Sequence, residues 1–211
     1  MSPLSRRRHA APLAVASAIA VLALTGCATP GTGTSGGAPT GGSAPPPPAG
    51  EVIAQGTVMD VGGDVELCLG AIAESYPPQC SGIPLAGWSW QGVDGFESAG
   101  DVTWGAYAVQ GTYDGERFTS TAPPMLLALY DPMAPEDPTG GEPGAGTEDE
   151  LLTIQEELPE LLGDAYLSSF PDDGRLRVQV VWDDGTWQRA ADERWGPDRV
   201  AVFSALRPVA G

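Results

Sequence analysis

The chain has 211 residues, with 28 Asp and Glu against ten basic residues, all Arg, and a net charge of −18. Such a surface repels nucleic acid and bare anionic headgroups. The single His, His9, stands in the first ten residues and there is no Lys. The rest of the chain therefore cannot build a Ser-His-Asp or Cys-His nucleophile, a Ser-Lys dyad or a histidine metal site.

The N-terminus carries Arg6, Arg7 and Arg8 and no acid, then the apolar run APLAVASAIAVLALTG up to Cys27. A basic head, a short apolar core and small residues before a cut describe a secretory signal. The run is shorter than the roughly 20 residues that span a bilayer. Leu24-Thr25-Gly26-Cys27 resembles the lipobox of bacterial lipoproteins. That resemblance implies cleavage after residue 26 and a diacylglyceryl group on the Cys27 thiol. Two or more acyl chains, at about 0.8 kcal/mol per buried methylene, make a stable anchor. The mature chain is then expected outside the cell membrane, held to it by lipid alone. It keeps all 28 acids but only seven Arg, a charge of about −21.

Residues 27–50 contain no charge, and Pro45 to Pro48 are consecutive. Gly and Ser make the first part flexible and the prolines stiffen the second, so the stretch reads as a spacer. From Glu51 the pattern changes. Val52 to Met59 predicts a strand, Asp60 to Asp64 a turn, and Val65 to Leu69 a second strand. WGAYAVQG over 104–111 alternates as a further strand, and Tyr113-Asp114-Gly115-Glu116 turns it back through Arg117 to Thr121. Short strands and Gly-rich turns over residues 51–130 predict a mainly β unit, a small barrel of the oligonucleotide/oligosaccharide-binding type.

Residues 131–146 are Pro, Gly and acid again and read as a linker. A small α+β unit over 147–211 follows. Thr147 and Glu150 have capping-box spacing, and Leu151, Ile154, Leu158, Leu161 and Leu162 recur at helical period. Pro159 is expected to kink or divide that helix. Ala165 to Ser168 and Arg175 to Trp182 pair around an Asp-Asp-Gly turn. Asp183 or Asp184 caps a helix over 186–194, and Val200 to Ala205 adds a last strand, giving a sheet with helices on one face.

Cys68 and Cys80 remain once Cys27 carries lipid. In an oxidising exterior, with too few other ligands for a metal, they read as a disulfide. The stretches Leu67-Cys68-Leu69-Gly70, Glu74 to Cys80, Gly87-Trp88-Ser89-Trp90 and Trp104 to Gly115 resemble a motif set in uncharacterised secreted or lipid-anchored proteins of actinobacteria, and Val181 to Pro208 resembles their tail. The resemblance bears on location and brings no activity or catalytic residue.

Nothing in the chain matches a nucleotide loop or an EF-hand, so no cofactor, metal or catalytic residue is assigned. The aromatic set Trp88, Trp90, Trp104, Tyr107 and Tyr113 either fills the barrel or offers a contact surface. Tyr76 and Gln79, at a tip held by the disulfide, with Trp88 and Trp90, form the expected contact surface. Asp94, Glu97 and Asp101 are the acids a sugar-cleaving pair would draw on. The sequence thus reads as a lipid-anchored binding protein whose partner is an envelope protein or glycan. A carboxylate-based glycan enzyme and a purely structural envelope lipoprotein are the alternatives.

Overall fold

Alternating inward residues decide how the first half of the chain closes. The computed structural model describes residues 44–131 and 137–209, so Cys27 and the expected signal segment lie outside the described residues. The strands are β1 (Val52–Val61), β2 (Asp64–Cys68), β3 (Ile83–Ala86), β4 (Glu97–Ala99), β5 (Val102–Tyr113), β6 (Phe118–Ser120) and β7 (Met125–Leu126). The ladder runs β1-β2-β3-β6-β5, and β5 pairs back onto β1 along Val52 to Val61, closing a five-stranded barrel. Within it β3 and β6 are parallel, while the other neighbours are antiparallel. Val52, Ala54 and Val58 of β1, Leu67 of β2, Tyr107 and Val109 of β5 and Phe118 of β6 fill the interior.

The outward face has a cluster of its own. Met59, Cys68 and Trp104 are buried together, with Cys80 against them. Alternation points Trp104 away from the barrel interior; it is covered because Cys80, disulfide-bonded to Cys68, folds the intervening loop over it. Loop-closure entropy for a 12-residue separation stabilises by about 3 kcal/mol.

The second half is the small α+β part with two helices. Helix α1 (Glu148–Leu162) starts at a capping box, with Thr147 N–H donating to Glu150 Oε2 at 3.0 Å. Its face is Leu151, Ile154, Leu158 and Leu162, all buried. Pro159 does not divide it: the helix runs on to Leu162, because a proline this close to the end removes one N–H while the leucine face stays packed. Next come β8 (Tyr166–Asp172), β9 (Arg175–Val180), α2 (Thr186–Trp195) and β10 (Val200–Ser204). The sheet order is β10-β9-β8, with β10 parallel to β9. Leu176, Val178, Val180, Val200 and Val202 pack against the buried residues of both helices, so among the described residues the other sheet face carries no helix. Asp183 and Asp184 both serve the start of α2: Asp183 Oδ1 accepts from Trp187 N–H at 2.8 Å, and Asp184 Oδ1 from Thr186 N–H at 3.0 Å.

The chain then returns to the barrel. β11 (Arg207–Pro208) pairs with Val52 and Ile53 of β1, and Val181 and Leu206 join the barrel core. The end of the proline run also lies on this body. Pro45 and Pro48 are half-buried, Pro46 and Pro47 exposed, the three-residue period of a polyproline helix. The Trp182 indole N–H donates to the Pro46 carbonyl at 3.0 Å. Residues 45–48 of the expected spacer are therefore held against the folded body.

Glu51 fastens this junction, accepting from the Gln110 amide at 2.7 Å and the Thr121 hydroxyl at 2.5 Å. Those two bonds, Thr121's first, hold its carboxyl below the ordinary value of 4.5. A lowered folded pKa contributes stability above the unfolded value that is lost as pH falls through the folded one. Glu51→Gln is therefore expected to unfold more easily than the parent at neutral pH, with the two denaturation midpoints converging in acid.

Candidate functional site

Tyr107 organises one end of the barrel. Its ring folds back over Gly105, where a Cβ would stand 2.6 Å from the hydroxyl oxygen. The hydroxyl donates to the Asp94 carbonyl at 2.9 Å. Burial, then the Asp94 charge, push the phenol pKa upward, so it stays a neutral donor. The loop after β3 crosses this end: Trp88, Trp90 and Val93 pack on the barrel core from outside. Trp88 meets Trp90 edge-on at 5.2 Å between centroids and Tyr107 at 5.3 Å. Trp90 is held by its indole N–H, which donates to Asp60 Oδ2 at 2.9 Å. The Trp88 indole nitrogen is buried and has no acceptor among the described residues.

This plug leaves an open groove of about 750 Å³ beside it. Trp88, Val93 and Asp94 form one wall, Thr121 and Pro124 another, and Met125, Leu126 and Leu129 the third. Met125 is 49% and Leu129 75% exposed. Leu127–Leu129 form a single 3-10 turn, and β7 holds it by pairing Leu126 with Tyr107 and Met125 with Ala108. Sequence reasoning missed this wall; the apolar cluster MLLAL beside an acidic, proline-rich stretch was the signal available.

The expected contact surface does not form one patch. Trp88 and Trp90 both pack on the barrel core at this end, and Trp88 also lines the groove. Tyr76 is 74% exposed and stands edge-on to Trp104 at 5.4 Å, on the disulfide loop over the barrel's outer face. Gln79 is exposed there, its carbonyl accepting from Ala73 N–H at 2.8 Å. Trp104 and Tyr107 are buried, while Tyr113 is half-buried against the core.

The three acids are also separated in role. Asp94 lines the groove. Glu97 lies opposite Trp104 on the edge strand β4. Asp101 is in the β4–β5 turn, its carbonyl accepting from Gly62 N–H at 2.9 Å. A second cleft, between the barrel and the α+β part, does contain two carboxylates, Glu116 and Asp164. Both are exposed, so burial does not set one apart as the acid of an acid–base pair. Among the described residues no group of three His, Cys, Asp or Glu side chains is arranged to hold a metal ion.

No helix among the described residues is long and apolar enough to cross a membrane. Compared with known proteins, the chain matches no family model, no curated protein and no solved structure.

Proposed function

We propose that this chain is a lipid-anchored binding module at the outer face of the cell membrane, taking an envelope protein or glycan in the groove at the barrel end. The observation that carries the reading is the groove itself. A chain this acidic leaves Met125 and Leu129 largely exposed beside half-buried Trp88, and aromatic side chains with apolar neighbours are what binding surfaces concentrate. The barrel order β1-β2-β3-β6-β5, with β3 parallel to β6, agrees with a barrel of the oligonucleotide/oligosaccharide-binding type. That architecture presents ligand sites on a rigid frame. With this acidity, the oligosaccharide or protein branch is favoured over nucleic acid. The lipobox at Cys27 supplies the anchor.

The test uses the full-length chain in its own envelope, with benzoylphenylalanine at Leu129 or, as control, at Leu152, which is exposed on α1. Photolysis is expected to give a discrete protein or glycan adduct from position 129 and none from 152, and Cys27→Ser is expected to move the protein from the membrane to the soluble fraction. Equal labelling at both positions, or none at 129, counts against the groove. A membrane-bound Cys27→Ser variant counts against the anchor.

A further inference from the structure

The helix-free face of the three-stranded sheet gathers positive charge in a chain that is otherwise almost entirely negative. Seven Arg accompany the 28 acids in the mature chain, and two of them, Arg177 on β9 and Arg207 on β11, line one groove of about 330 Å³. Gln179, Ser168, Phe170 and Phe203 line it with them. Among the described residues no carboxylate lines it, whereas the barrel-end groove, the cleft of Glu116 and Asp164 and the cleft of Asp137 and Asp172 each contain at least one.

Arg177 differs from its neighbour Arg175 in what its donors do. Arg175 is 11% exposed and fully engaged: Nε donates to the Glu142 carbonyl at 3.3 Å, Nη1 to the Pro197 carbonyl at 2.7 Å, and Nη2 to Asp198 at 3.2 Å. That is a structural arginine, tying the loop before α1 to the turn before β10. Arg177 is 32% exposed, with Cζ over the Phe203 ring at 4.2 Å from its centroid. Its ion pair to Asp172 is 3.6 Å long, beyond hydrogen-bond length. Among the described residues its guanidinium donates no hydrogen bond. Stacking fixes the plane of the guanidinium and leaves its edge donors unused, which suits bidentate capture of an oxyanion. Arg177 also borders the adjoining cleft, where Asp172 and Asp137 stand; neither acid lines the groove that holds Phe170 and Gln179.

Register places an apolar wall beside that donor set. Phe170 on β8 is directly cross-strand from Arg177, and Ser168 from Gln179. Phe170 is 55% exposed. A groove of this size is at the small end of the roughly 300–1,000 Å³ of ligand pockets, so it fits one aromatic acid or a dipeptide and not a chain.

We propose that this groove binds a small carboxylate with an apolar or aromatic body, Arg177 taking the carboxylate and Phe170 the body. The site is separate from the groove at the barrel end and does not depend on it.

The test is titration of N-acetyl-L-phenylalanine onto the full chain, followed by calorimetry and by chemical-shift changes. Saturable binding is expected, weakened at least tenfold when the ligand is the uncharged amide and at least tenfold in Arg177→Gln. Arg189→Gln, on the far helix, is expected to bind as the parent does. Because Arg177 also packs on Phe203, Phe170→Ser serves as a second variant at an exposed position: affinity should drop severalfold with the melting temperature unchanged. The Leu129→Asp variant should bind normally, which separates this site from the barrel-end groove. Absence of saturation, equal affinity for acid and amide, or unchanged binding in Arg177→Gln overturns the proposal. So does displacement by inorganic phosphate at equal concentration, which would show that the body contributes nothing.

Discussion

Replacing Gln188 by leucine is expected to lower the stability of the protein by about 4 kcal/mol, although the two side chains are similar in size. Strand β10 is the outer strand of its sheet and pairs with β9 along one side. On its other side, the Val202 N–H donates to Gln188 Oε1 at 2.8 Å, and the Val200 carbonyl accepts from Gln188 Nε2 at 3.0 Å. One amide on α2 thus occupies the place of a missing strand. Asp192 fixes the amide's orientation by accepting from the same nitrogen at 2.8 Å. Val200 and Val202 are buried, so water does not replace what leucine removes. Each backbone group left unpaired costs about 1–3 kcal/mol. Gln188→Glu sharpens the test. At neutral pH it keeps the acceptor for Val202 but sets a carboxylate against the Val200 carbonyl and Asp192, so a comparable loss is expected. In mild acid the protonated carboxyl again offers one donor and one acceptor, and part of the loss should return. Urea unfolding with an unchanged slope reads the effect, and loss of exchange protection at the Val202 amide locates it.

That role shows where sequence reading stops. The strands with clear alternation, β1, β2 and β5, are legible because a period of two over five or more residues is a local property. So are the capping box at Thr147, the turn at Asp173-Gly174 and the leucine face of α1. β3 has four residues and includes a proline; β7 and β11 have two each. They become strands because β2, β5 and β1 already offer edges, and no window of their own sequence contains that information. Gln188 is equally silent, since its partner strand begins 12 residues later and acquires its free edge only from the sheet order.

The aromatic residues illustrate the same limit on the functional side. Alternation assigns Trp104 and Tyr107 correctly to opposite faces of β5, yet both are buried, because the disulfide loop covers the outer one. Exposure therefore depends on what folds over a face as well as on its polarity. The barrel-end groove needs the loop after β3 and the turn after β6 brought side by side by the parallel pairing of those strands, a contact between segments some thirty residues apart. Likewise the Arg177 groove exists because β11 returns to β1 and carries Arg207 with it.

Gly111→Ala is expected to destabilise the barrel by about 3 kcal/mol or more. Gly111 is at the closure, paired with Val52 of β1 on one side and Ser120 of β6 on the other. Its backbone is not in the left-handed region, so the glycine is there for space and not for conformational freedom. An added Cβ points into the interior, falls on the Thr119 carbonyl oxygen and stands 2.5 Å from Phe118 Cε1. The carbonyl belongs to the ladder and Phe118 is fully buried, so neither yields without opening β5 from β6. Gly62→Asn is the contrasting case. Gly62 has a φ of 63° in an open turn with none of the described residues within 4 Å of an added Cβ, and asparagine tolerates that conformation, so less than about 1 kcal/mol should be lost. In the double variant Gly111→Ala with Phe118→Leu, the smaller side chain relieves the ring contact but not the carbonyl contact. Partial recovery of the unfolding midpoint is therefore expected. Full recovery would assign the whole clash to the ring and leave the barrel closure indifferent to the missing Cβ.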